Sequence, residues 1–150
     1  MGRDENWRAT VTLYDVTDFA TPSMVERLPL AEGYDSAAVY EHKAFTFLAD
    51  ADVLSIPFSG YRYDLAYNQF TTGILLLDVD KTEGFSGAGQ LNMVDESQGE
   101  GPASRSLVIG DVLYGVSKCR ITSALLSDPG SVLDSLPLYT GSSCDYGYYY

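Results

Sequence analysis

The sequence predicts an all-β protein built from short antiparallel strands. Three observations carry that reading. Apolar residues come in short runs broken by Asp, Gly and Pro; two β-rich runs flank the two-residue turn Gly110-Asp111; and the octapeptide starting at Ser23 returns near the C-terminus starting at Ser131. Runs of this kind, bounded by chain breakers, are strand signals, whereas a helical core would need a sustained period of about 3.6 residues.

Thr10 to Val16 places Val11, Leu13 and Val16 among polar residues, and Asp18 with Thr21-Pro22-Ser23 ends the run. Val39 to Leu48 reads as a strand because Val39, Tyr40, Phe45, Thr46 and Phe47 favour the pleated backbone, although Ala37, Ala38 and Ala44 pull toward helix. Val53 to Phe58 follows, with Pro57 marking a strand end or a sheet edge. The Tyr-rich stretch from Ser59 to Asn68 reads as a loop or an irregular strand. Gly73 to Val79 is nearly continuously apolar, as a strand covered on both faces should be. Gln90 to Val94 puts Leu91 and Met93 on one face, with Gly84, Gly87 and Gly89 before it as a flexible turn. Asp95 to Pro102 is acidic and breaker-rich, a long inter-strand loop rather than a domain boundary.

Ser106 to Ile109 and Val112 to Ser117 then form a hairpin, since Gly110 supplies the positive φ that a tight turn needs. Ile121 to Leu126 is a further strand, stopped by Asp128-Pro129-Gly130, and Ser131 to Leu136 has room for one helical turn.

Self-similarity organises these elements. Ser23-Met24-Val25-Glu26-Arg27-Leu28-Pro29-Leu30 aligns without gaps on Ser131-Val132-Leu133-Asp134-Ser135-Leu136-Pro137-Leu138, an offset of 131 − 23 = 108 residues. Both copies keep Ser, two apolar residues, an acid and Leu-Pro-Leu, and both follow a strand that stops near Asp and Pro. A second echo aligns Leu13-Tyr14-Asp15-Val16 on Leu76-Leu77-Asp78-Val79, an offset of 76 − 13 = 63. Two units would span the 108-residue interval at 54 residues each, and units of about 40 to 50 residues with about four short strands are the size of propeller blades.

Leu13-Tyr14-Asp15-Val16-Thr17-Asp18, Ala44-Phe45-Thr46-Phe47 with Leu54-Ser55-Ile56-Pro57-Phe58, and above all Arg105-Ser106-Leu107-Val108-Ile109-Gly110-Asp111-Val112-Leu113-Tyr114-Gly115-Val116-Ser117 carry a resemblance. They are similar to the secreted microbial β-propeller domain family, itself distantly similar to WD-type repeats. The resemblance touches most of Thr10 to Leu138 and implies antiparallel four-stranded blade-like sheets and an extracellular or cell-surface setting. It brings no catalytic residue, because that family has no agreed activity. A closed propeller takes at least about four blades, and a chain of this length holds about two to three. The expected architecture is therefore a partial copy, completed by a larger chain or by homo-oligomerisation. Residues 1–9 read as an N-terminal extension, 10–140 as blades and 141–150 as a Tyr-rich tail.

Charge narrows the partners. Lys and Arg number 9 against 21 Asp and Glu, a net charge of 9 − 21 = −12, which repels nucleic acid and anionic membrane surfaces. No apolar run approaches the roughly 18 residues of a membrane span, and Met1 to Trp7 lacks a signal-peptide core, so an export signal is expected outside these residues. Cys119 and Cys144 permit one bridge or two unpaired thiols; they fit no zinc or Cys-x-x-Cys pattern.

Chemistry is sparse. Asp78-Val79-Asp80-Lys81-Thr82-Glu83-Gly84 alternates oxygen ligands as a calcium loop does, but Gly84 stands seventh and Gly89 twelfth where an EF-hand wants Gly sixth and Glu twelfth. A polar turn is the plainer reading there, as for Asp50 and Asp52, so no cofactor is expected beyond an occasional calcium. His42 is the single histidine, no Gly-x-Ser-x-Gly elbow exists, and no catalytic residue is nominated. The remaining lead is aromatic: Tyr61, Tyr63 and Tyr67 could form a binding surface, since tyrosine joins an apolar face to a hydrogen-bonding tip. The expected role is a non-enzymatic extracellular scaffold or interaction module presenting acidic and tyrosine-rich loops to a protein or glycan. The alternatives are a hydrolase subdomain with its site at the blade-top loops and a structural component of a surface assembly.

Overall fold

A computed structural model describes residues 1–62, 69–94 and 101–138, which form three antiparallel sheets. The first contains β1 (Gly2–Arg3), β2 (Ala9–Asp15) and β3 (Ser23–Pro29) in that order. The second contains β4 (Tyr34–Asp35), β5 (Thr46–Leu48), β6 (Val53–Arg62), β7 (Gln69–Asp80) and β8 (Gly84–Asn92); β4, β6, β7 and β8 run side by side and β5 also pairs with β6. The third contains β9 (Ala103–Ile109), β10 (Val112–Ser117), β11 (Arg120–Leu125) and β12 (Asp128–Pro137), adjacent in chain order. The all-β, antiparallel reading holds; the third sheet has the expected four strands, while the first has three and the second five.

The second sheet lies between the other two because β7 is apolar on both sides. Ile74 and Leu76 join Val53, Leu91, Met93, Leu113 and Ala124 in the core shared with the third sheet. Leu77 joins Leu54, Ile56, Val11, Ala38 and Ala44 in the core shared with the first. Each fully buried aliphatic side chain contributes on the order of 1.5–3 kcal/mol. Polar groups bridge the sheets only where they are paired: Ser55 and Ser106 share a buried 2.7 Å hydrogen bond.

Four expectations are corrected. Val39 to Leu48 is not one strand: Ala37–Val39 is a 3₁₀ turn, and only Thr46–Leu48 pairs. Ser36 decides this, its Oγ accepting from Ala38 N at 3.2 Å and donating to Pro57 O at 2.6 Å. Pro57, by contrast, lies away from the ends of β6 but at a local sheet edge, one of the two places expected for it: β5 stops pairing at Ser55 and β4 begins at Ser59, so no partner strand there needs an N–H from it. The glycines at 84, 87 and 89 lie in β8, not in a flexible turn. Ser131 to Leu136 is strand β12, not a helical turn, because it has the whole of β11 to pair with. Residues 1–9, read as an extension, contribute β1, which pairs Gly2 with Thr10 and Arg3 with Ala9. The expectations for 95–100, for the tail 141–150 and for Cys144 lie outside the described residues.

The sequence repeat is a structural one. β3 and β12 are each the last strand of a sheet, and each pairs with the strand before it: Leu28 with Val11, Leu136 with Ile121. Past the ladder, Leu30 N donates to Ala9 O and Leu138 N to Cys119 O, both at 2.8 Å.

Candidate functional site

Strand direction gives the stack two ends. β6 starts and β7 stops at one of them, where Val53 faces Asp78 and Asp80 faces Gly84. The β5–β6 turn joins this end through Val79 N donating to Asp52 O at 2.8 Å. The β2–β3 loop joins it too, since Asp15 and Phe19 share one cavity with Lys81 and Thr82. The third sheet adds its two short turns, tied by Leu126 N donating to Asp111 O.

Turn chemistry makes this end acidic, because Asp is a preferred turn former. Asp15, Asp18, Asp50, Asp52, Asp78, Asp80, Glu83, Asp111 and Asp128 are all exposed there, nine carboxylates against Lys81 among the described residues. Several fold back on their own turns. The Thr17 hydroxyl and N–H hold the Asp15 carboxyl below the usual aspartate range. Ala20 N–H and the Thr21 hydroxyl do the same for Asp18, and the Thr82 hydroxyl with Glu83 and Thr82 N–H for Asp80. These groups stay ionised well into acid.

Beside the acids runs an apolar cavity of about 270 Å³ between the first and second sheets, lined chiefly by Val11, Leu13, Phe45, Phe47, Leu54 and Phe85. Phe45 and Phe47 are open to solvent at its mouth. Sequence reasoning missed this groove. Its signal was the Phe45-x-Phe47 alternation, which shows two aromatics on one strand face but not the sheet opposite.

Of the three tyrosines nominated, Tyr61 lies on β6 opposite Phe70, the rings edge to face at 5.5 Å, at the far end of the sheet from the acids. Tyr63 and Tyr67 lie outside the described residues. His42 is 85% exposed in its side chain, with Glu41 Oε1 3.6 Å away. In the Asp78–Gly84 segment, Asp80 Oδ1 accepts from Thr82 N and Oγ1, both at 2.7 Å, and from Glu83 N at 2.9 Å, so it serves its own turn. Among the described residues no three His, Cys, Asp or Glu side chains gather as a metal site. No helix there is long and apolar enough to cross a membrane. Cys119 is buried and disulfide-bonded.

A family model described as Beta propeller domain matches residues 2–128. No curated protein and no solved structure gives a match.

Proposed function

The chain belongs to the beta propeller domain family, and on that premise we propose that it is a non-enzymatic extracellular scaffold that holds a cationic protein segment at the acidic end of its sheets. One observation carries the reading: the exposed carboxylates crowd one end, and an aromatic groove opens beside them. A segment with basic residues flanking one large apolar side chain satisfies both features. The carboxylates steer it and the groove desolvates it. The Cys119 disulfide supports an oxidising setting, and the resemblance to secreted propellers supports export.

A glycan is the second reading, favoured by the Tyr61–Phe70 ring pair at the opposite end. Arrays of basic-apolar peptides, acidic peptides and glycans, probed with the purified chain, separate the two. The scaffold reading expects basic-apolar peptides to bind, binding to weaken as salt rises, and Phe47→Asp to abolish it. Glycan binding lost in Tyr61→Ala, or peptide binding indifferent to salt, overturns it.

A further inference from the structure

Arg3 fixes two exposed aromatic residues at the end of the stack away from the acids. β2 reaches the acidic end at Asp15, so the turn before it, from Asp4 to Arg8, stands at the other end. Trp7, the single tryptophan of the chain, sits in that turn and is 78% exposed. Its φ is 62°, a left-handed value that is rare for a bulky side chain. The turn is braced to keep it there. Asp4 O accepts from Trp7 N at 3.0 Å, the Asp4 carboxylate accepts from Asn6 N, Arg8 N and Arg8 Nε, and Arg3 Nη1 donates to Trp7 O at 2.7 Å.

The same guanidinium holds the second ring. Arg3 Nη2 donates to Tyr40 Oη and, at 2.7 Å, to Asp35 Oδ2. Its Cζ stands 5.4 Å from the centre of the Tyr40 ring, a cation–π distance. Tyr40 is 75% exposed. Neither aromatic residue is buried, so hydrophobic burial does not account for the strained backbone at Trp7 or for the clamp around it.

Charge selects the ligand class. Arg3 pairs with Asp35 and Arg8 with Asp4, so the cations and anions of the clamp cancel. An ion gains little from such a site. A neutral ligand with apolar faces and hydroxyl edges meets rings and hydrogen-bonding groups together. The indole N–H is a donor, and the half-exposed Asp35 carboxylate accepts from Arg3 and Ser36 N with a lone pair left on each oxygen.

We propose that Trp7 and Tyr40, set by Arg3, form a binding site for a neutral saccharide, with a sugar ring stacked on the indole and Asp35 accepting from its hydroxyls. The site uses neither the acidic end nor Tyr61, so it can fail or stand apart from both readings above.

The single tryptophan serves as its own probe. The full chain is titrated with neutral oligosaccharides of glucose, mannose and N-acetylglucosamine while acrylamide quenching of Trp7 is followed. At least one sugar should shield Trp7, and Tyr40→Ala and Arg3→Lys should each weaken its binding at least tenfold, lysine lacking the fork that reaches three partners. Tyr61→Ala should leave binding unchanged. In Trp7→Gly, calorimetry should show binding lost and Tm raised, because glycine takes the left-handed backbone without strain. No shielding by any of the sugars at millimolar concentration, binding indifferent to Tyr40→Ala or lost in Tyr61→Ala, or a lowered Tm in Trp7→Gly overturns it. So does shielding by basic-apolar peptides, or by raising the concentration of the chain itself, in place of the sugars, which would make the two rings a protein contact.

Discussion

Val25 and Leu133 occupy one position in two sheets: each is the single residue left unpaired at a bulge in the last strand. Leu13 faces Glu26 and Tyr14 faces Met24, skipping Val25; Ser123 faces Asp134 and Ala124 faces Val132, skipping Leu133. The second sheet does the same, with Leu76 facing Gly89 and Leu77 facing Gly87, skipping Ala88. These offsets, 108 and 63, are those of the two sequence echoes. A bulge increases local twist, and sheets that share it at one place can stack with one twist throughout.

The stack depends on β7, and Leu76→Ala should show it. Leu76 is fully buried between the second and third sheets, so truncation leaves a cavity and should cost about 2–5 kcal/mol by urea denaturation. Leu133→Ala, at the exposed bulge, should cost under about 0.5 kcal/mol. Equal losses would mean that β7 does not organise the core.

The Ser55–Ser106 pair predicts non-additivity. Either single alanine leaves a buried hydroxyl without its partner and should cost about 1–3 kcal/mol. The double variant should cost less than the two singles added, because it leaves no orphan. Strict additivity in a double-mutant cycle would show that the two hydroxyls do not act together.

Much of this was legible in the sequence, and the failures have physical causes. The Gly110-Asp111 hairpin was readable because the turn demands its residues: Gly110 has φ 64°, and Ile109 pairs with Val112. The double-sided burial of β7 and the Leu91/Met93 face were readable because apolar spacing records which faces are covered. Val39 to Leu48 was misread because a single side chain, Ser36, overrides the β preference of its successors through bonds to Ala38 and to distant Pro57. That the loops would be acidic was legible, but their gathering at one end and the phenylalanine groove were not. Their members come from turns and strands far apart in sequence, and only strand direction brings them together.

Acid should weaken the fold at a predictable point. Asp15, Asp18 and Asp80 bind protons less readily folded than unfolded, because hydroxyls and N–H groups hold their carboxylates. The unfolded chain therefore takes up more protons as pH falls. Their stabilising contribution is full above the unfolded aspartate value of about 3.9 and is lost as pH drops through the lower folded values. Thermal melts between pH 7 and pH 2 should show Tm falling below about pH 4, and falling less in Asp80→Asn. A Tm that falls equally in wild type and Asp80→Asn would remove Asp80 from the account.

Gly84 tests the contact between the first two sheets. Its φ is 95°, a left-handed value, and a Cβ there would stand 2.1 Å from Glu26 Oε2. Gly84→Ala therefore carries two separable penalties, backbone strain of about 1–3 kcal/mol and the clash with Glu26. Glu26→Ala alone leaves Phe85 N–H without its acceptor. In the double variant the clash with the carboxylate is gone, while the strain and a 2.9 Å approach to the Cβ that alanine keeps at position 26 persist, so its loss should be smaller than the sum of the singles yet larger than that of Glu26→Ala. If Gly84→Ala were neutral, neither the left-handed turn nor the carboxylate pressed against it would be holding β3 to β8.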